Sequence, residues 1–237
     1  MTTTAIEIFG DCAPGFEPVQ AAFERNFSEH GEVGGAVAVT IDGESKVDLW
    51  GGHADKARSR AWERDTIVNV YSTTKGMAAL CGHILADRGE LDFDAPVTKY
   101  WPEFGQAGKD ALPVRYLFSH QAGLPVIDKK LPPGASLDWD MMCKALAEQA
   151  PVWEPGTKQG YHTATFGFLV GELVRRISGK SIGTFLRDEV TGPLDADFLI
   201  GFGPEEDHRV ADMLQAAAPE DLGDLPPIAQ AMADPTS

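Results

Sequence analysis

Cysteine is scarce in this sequence. Its three copies, Cys12, Cys81 and Cys143, are an odd number without the paired spacing of a zinc site. Neither a disulfide framework nor a structural metal is therefore expected to organise the chain, and buried thiols are the simpler reading. Positive charge is scarce as well. Twenty Lys and Arg stand against thirty-six Asp and Glu, leaving a formal charge of −16. That balance repels nucleic acid and anionic membrane surfaces. Long apolar runs are missing too, since no segment approaches the roughly 18 residues that cross a bilayer. The opening MTTTAIEIFGDCAPG has neither a basic stretch nor a continuous apolar one, so a secretory leader is not expected. The six histidines form no H-x-x-x-H pattern, which gives a metal no obvious seat. The expectation is a cytoplasmic protein with no metal, no organic cofactor, no nucleic-acid partner and no membrane partner.

What is present can build a sizeable core. Of 237 residues, 43% are apolar, enough for one large domain or two interleaved ones. Val19, Ala22, Phe23 and Phe27 recur at helical spacing and predict an amphipathic helix over Phe16 to His30. Val37, Val39 and Ile41 alternate with small or polar residues, Asp42-Gly43 supplies turn chemistry, and Val47 and Leu49 resume the alternation, which predicts a hairpin. Ile67 to Val70 reads as a short extended piece leading to YSTTKGMAAL, where a helix is expected with Met77, Leu80, Cys81, Ile84 and Leu85 on its apolar face and Gly89 as its stop. Pro113 suits the first turn of a short helix through Phe118. Further helices are expected at Leu137 to Gln149, at Thr163 to Ser178 before Gly179, and at Ile182 to Val190 behind Ser181 as N-cap. Gly167-x-x-x-Gly171 is expected to allow close helix packing.

Ser72 and Lys75 stand three apart where a helix begins, so the hydroxyl and the ammonium are expected on one face. A serine hydroxyl is a poor nucleophile without a base beside it. A lysine can be that base only where burial or neighbouring cations lower its pKa, and the positive end of the helix would help an oxyanion form. Alone, S-x-x-K reads as a helix N-cap followed by a solvated lysine rather than as a catalytic pair.

Two later segments change the weight of that pattern. Leu117-Phe118-Ser119-His120-Gln121-Ala122-Gly123-Leu124-Pro125 follows about forty-five residues after Ser72, and Gly160-Tyr161-His162-Thr163 precedes a long helix. Together with Ser72-Thr73-Thr74-Lys75 they resemble the serine β-lactamase and penicillin-binding-protein superfamily, in particular its class C-like branch and the family VIII carboxylesterases. Gly89 to Val97 and Trp153-Glu154-Pro155-Gly156 look like that branch as well. The resemblance, which runs from about Ala21 to about Arg209, implies an α/β (α+β) fold in which a helical domain accompanies an antiparallel sheet flanked by helices. It implies Ser72 as the acylated nucleophile and Lys75 as its base or proton relay. Tyr161 matches the tyrosine of the family's Y-x-N motif, and the three groups would share protons as a unit. Thr163 departs from the usual asparagine, whose amide holds the amide side chain of a lactam. A threonine hydroxyl suits an ester better. The expected reaction is therefore hydrolysis of short-chain carboxylic esters through an acyl-Ser72 intermediate. Alternatives are β-lactamase or D-alanyl peptidase activity, or a non-catalytic acyl-binding protein. Substrate contacts are expected from Thr163, His162 and Trp153, while His120 is read as a residue that fixes a turn. Trp101 and Trp139 are further candidates to line an acyl pocket.

The superfamily's third motif, K-T-G or a variant such as W-x-G or H-x-G, does not occur after Tyr161. The chain thus resembles roughly the first two-thirds of such an enzyme, with an incomplete sheet whose open edge invites aggregation or a completing partner, a second copy of the chain among the candidates. The expected divisions are 1–72 for the N-terminal helix and hairpin, 73–204 for a helical domain with the active site, and 205–237 for a weakly structured tail. From Glu205 to Ser237 eight acidic residues face one basic residue, Arg209.

Overall fold

A computed structural model describes residues 6 to 214, which fall into two compact units, 6–69 with 206–214, and 70–205. Residues 215–237, most of the expected acidic tail, lie outside the described residues. Residues 206–214 belong with the N-terminal segment: Ile67 and Val210 form a parallel bridge, and the Arg60 guanidinium donates to the Val210 carbonyl at 3.1 Å.

The first unit is a three-stranded antiparallel sheet with one helix. Strands β1 (Ile8–Cys12), β2 (Gly34–Ile41) and β3 (Glu44–Gly52) lie in the order β1-β3-β2, and α1 (Glu17–Glu29) connects β1 to β2. The β2–β3 hairpin forms where alternation and Asp42-Gly43 predict it. Both turn residues take positive φ, 52° and 80°, as a tight hairpin turn requires. Val47 and Leu49 of β3 turn inward on Phe23 of α1, with Ile8, Val19, Phe27, Val37 and Val39 packed around them. Strand β1 was not expected from its sequence. Gly10 interrupts its pattern, and the structure explains why a glycine is there: φ is +100°, and a Cβ would lie 1.9 Å from the Asp48 carbonyl oxygen. Among the described residues, the outer edges of β1 and β2 pair with no further strand.

The second unit is helical. It contains α2 (Thr74–Asp87), α3 (Arg115–Phe118), α4 (Trp139–Glu148), α5 (Thr165–Ser178) and α6 (Ile182–Leu186), the last continued by a π-helical turn over Arg187–Thr191. The ends follow from local chemistry. Asp138 accepts from the Met141 amide at 2.9 Å to start α4, Ser181 accepts from Thr184 at 3.1 Å to start α6, and Gly179 at φ 72° closes α5. Leu85, Trp101, Phe104, Leu117, Leu124, Leu146, Leu169 and Leu173 meet in one buried core.

Three local expectations need correction. Leu80 points outward, and Ala78 replaces it on the buried face of α2, packing with Phe166 and Val170 of α5. Pro113 lies two residues before α3 and bridges Pro96, because Val97 donates to the Leu112 carbonyl and Val114 to the Ala95 carbonyl. In the Gly167-x-x-x-Gly171 pair only Gly171 serves packing, since a Cβ there would meet the Trp139 ring at 2.6 Å while one at Gly167 would meet open space.

Two buried charges tie this unit together. Glu172, 1% exposed, accepts from the Trp139 indole at 2.8 Å, from Arg175 at 2.7 and 2.9 Å, and from Arg176 at 2.7 Å. Burial pushes its carboxyl up, but these donors outweigh that and leave it below the ordinary value. Lys109, with no exposed surface, donates to the carbonyls of Gln106, Ala147 and Gln149. Burial pushes its ammonium down to about 8. Among the described residues no helix is long and apolar enough to cross a membrane.

Candidate active site

Ser72 lies in a short 3-10 turn, Tyr71–Thr73, immediately ahead of α2, so Lys75 falls in the helix's first turn. Tyr71 has φ +45°, a left-handed conformation uncommon for a residue with a Cβ, which costs about 1–3 kcal/mol and is tolerated only where the surroundings enforce it. The turn leaves Ser72 exposed. Lys75 Nζ lies 3.2 Å from Ser72 Oγ and donates to the Thr163 carbonyl at 2.8 Å. It also lies 4.9 Å from the centroid of the Tyr161 ring and 5.9 Å from that of Phe166. A hydrogen bond with Ser72 and, more weakly, contact with Lys75 hold the Tyr161 phenol below its ordinary value. The structure thus brings Ser72, Lys75 and Tyr161 together from two segments almost ninety residues apart in sequence.

The three residues expected at the substrate occupy different environments. Thr163 is exposed, and its backbone carbonyl anchors Lys75 while its side chain faces outward. His162 has no exposed surface. Its Nδ1 contacts the Gly160 carbonyl at 2.6 Å and its Nε2 accepts from the Leu124 amide at 3.0 Å. A ring with both nitrogens engaged inside the protein cannot hold a substrate, so His162 orders the loop instead. Trp153 is half-buried, edge-on to His162 at 6.1 Å between centroids, and its indole nitrogen is buried without a partner. Trp101 is core, and Trp139 packs on Phe168 and donates to Glu172.

One functional connection is not visible in the sequence. The segment Ser119 to Leu124 serves as a template for the loop that carries Tyr161: Val152 donates to the Gly123 carbonyl, Gly156 to Gln121 and Gly160 to His120, while Thr165 Oγ1 donates to the Leu124 carbonyl at 2.7 Å. The only signal for this was that both segments belong to the same resemblance.

A cavity of about 390 Å³ opens on the same unit, lined by Trp101, Glu103, Asp140, Lys144, Glu172 and Arg176 among others. It includes none of the Ser72 cluster, and its charges are engaged in ion pairs such as Arg176–Glu103 at 2.8 Å and Arg175–Asp140 at 3.3 Å. Among the described residues no three His, Cys, Asp or Glu side chains are grouped to hold a metal ion.

The chain is similar to known proteins. The chain is 41% identical over 221 residues to the esterase/beta-lactamase LipL of Mycobacterium tuberculosis, an alignment that covers 91% of this chain and 49% of LipL. Among solved structures, a penicillin-binding protein homologue from Caulobacter crescentus superposes with TM-score 0.88 at 42% identity, covering 97% of this chain and 62% of that one. A family VIII carboxylesterase superposes with TM-score 0.83 at 48% identity, covering 88% and 57% respectively. The chain spans about half the length of the curated relatives it matches. The Beta-lactamase family model matches residues 19–234. That span takes in the Ser72 turn, the Ser119 to Leu124 template and the Tyr161 loop, and with it this chain belongs to the Beta-lactamase family, with the fold of that family and an open sheet.

Proposed function

We propose that this chain is a serine hydrolase that cleaves short-chain carboxylic esters through an acyl-Ser72 intermediate. The observation that carries the reading is the 3.2 Å contact of Lys75 with Ser72, with the Tyr161 ring 4.9 Å from the same ammonium. An ammonium has donors only, so when Lys75 is charged and points at Ser72 Oγ, the hydroxyl's own proton is left for Tyr161. In the first step Ser72 Oγ attacks the ester carbonyl and its proton passes into the Lys75–Tyr161 pair. The tetrahedral anion then collapses, the C–O bond to the alcohol breaks, and the departing oxygen takes the proton back. Water attacks the acyl-Ser72 carbonyl by the same route and releases the carboxylic acid.

Esters are favoured over lactams because Thr163 supplies a hydroxyl where a lactam-binding site would supply a side-chain amide. The names of the relatives include esterases, a family VIII carboxylesterase and beta-lactamases, so the choice between the two substrates rests on Thr163. The deciding experiment is hydrolysis of p-nitrophenyl butyrate by the purified chain with Ser72→Ala in parallel, and nitrocefin as the competing substrate. Ester turnover that disappears in Ser72→Ala supports the reading. Nitrocefin turnover of equal efficiency would replace it with a lactamase. Labelling of Ser72 by a fluorophosphonate without turnover would leave an acyl-binding protein.

A further inference from the structure

Tyr161 is 53% exposed, yet the chemistry proposed above requires its phenol to stay beside Ser72. The residues on either side of it show what restrains it. The Gly160 amide donates to the His120 carbonyl at 3.1 Å, and the His162 amide donates to the His120 ring Nδ1 at 3.1 Å. One residue therefore holds both backbone flanks of Tyr161. Its ring also packs on the Tyr161 ring at 4.7 Å between centroids, and on Phe166 of α5 at 5.0 Å. His120 itself has φ +61°, a left-handed conformation that a histidine adopts more readily than most side chains but still uncommonly. The adjoining His162 ring closes the loop from within, accepting from Leu124 at Nε2 and so carrying its proton at Nδ1, where it donates to the Gly160 carbonyl.

We propose that His120 is a positioning residue for Tyr161: through its carbonyl and its unprotonated Nδ1 it fixes the loop 160–162 so that the phenol stays on Ser72. The inference rests on Tyr161 being part of the reacting cluster. The titratable groups facing His120 are Lys75 from α2 and Tyr161 and His162 from the loop; α5 presents only the apolar Phe166. Burial first, and then the Lys75 charge, hold the His120 imidazole below its ordinary value, which keeps Nδ1 open as an acceptor at neutral pH. Without that acceptor the phenol drifts from Ser72 and Lys75, and misplacement on the scale of an ångström costs up to about 10²-fold in rate.

The test is His120→Gly, which accepts positive φ without strain and removes only the ring, with His120→Asn as the conservative variant that restores an acceptor. Tyr161 ionisation is read as the absorbance difference between each chain and its Tyr161→Phe counterpart, which needs no turnover. In His120→Gly, kcat should fall by about 10- to 100-fold with KM within about two-fold, and the Tyr161 titration should move up towards that of a free phenol; His120→Asn should recover part of both. An unchanged Tyr161 titration in folded His120→Gly would overturn the proposal, even if activity fell. If the unsubstituted chain neither turns over ester nor takes a fluorophosphonate, the function reading fails while the titration still decides the positioning role. Imidazole ¹⁵N NMR of the unsubstituted chain gives a variant-free check: His120 Nδ1 should be unprotonated and coupled to the His162 amide, and a protonated Nδ1 would overturn the assignment.

Discussion

The two units of this chain solve the burial problem at different scales. In the helical unit, twenty buried residues form one continuous cluster, so removing any one leaves many neighbours in place. In the sheet unit, the cluster between α1 and the strands has three buried members, Phe23, Val47 and Leu49, and two strand edges without partners among the described residues. All of the Ser72 cluster belongs to the helical unit. The proposed chemistry is thus built on the better-packed part, while the sheet is the part with least to lose before it opens.

Ser72→Ala should separate chemistry from folding most sharply, with ester turnover falling by at least about 10³-fold and the thermal melt unchanged. Tyr161→Phe should follow, with a loss of about 10²- to 10⁴-fold. In the unsubstituted chain, activity should rise with pH as Tyr161 deprotonates, with a midpoint below the ordinary tyrosine value because Ser72 and Lys75 favour the phenolate. A pH–rate profile that is flat through this range would remove Tyr161 from the cluster.

Stability predictions sharpen the contrast between the units. Leu169→Ala in the helical core should cost about 2–5 kcal/mol and lower the temperature at which a fluorophosphonate still labels Ser72. Glu172→Gln should cost about 2–3 kcal/mol, less than a wholly buried pair, because Arg175 and Arg176 remain partly exposed. Since the native Glu172 carboxyl lies below its unfolded value, its contribution is present above the ordinary carboxylate range and is lost as pH falls through the depressed value. Urea melts from pH 7 to pH 3 of the chain and Glu172→Gln would reveal it as a converging pair of curves. The smallest effect is expected from Leu49→Ala on Ser72 labelling: about 2 kcal/mol off the sheet unit with the labelling rate unchanged. Equal loss of labelling would mean that the two units do not behave separately.

The sequence made some of this legible and hid the rest for identifiable reasons. Helices α1, α4 and α5 and the β2–β3 hairpin show because each has one face against a core and an end marked by Asp, Gly or Pro. Strand β1 does not, because its glycine answers to a neighbouring carbonyl rather than to any periodicity. Ser72 and Lys75 are neighbours by helix geometry, but Tyr161 joins them only through long-range folding, and only the resemblance pointed to it. Leu80 was assigned to the buried face because hydropathy does not record that α5 lies against Ala78. His162 was expected at the substrate because it adjoins Tyr161; adjacent residues in an irregular loop can face opposite ways, and this one turns inward to Leu124.

Lys109 offers a different use of the structure. Among the described residues it is the one lysine with no exposed surface, its ammonium enclosed by the carbonyls of Gln106, Ala147 and Gln149. An amine-acylating reagent will therefore mark the other lysines on the native chain and reach this one only when the helical core opens. Mass-spectrometric counting of modified Lys109 over time would turn a single buried nitrogen into a clock for the opening of that core.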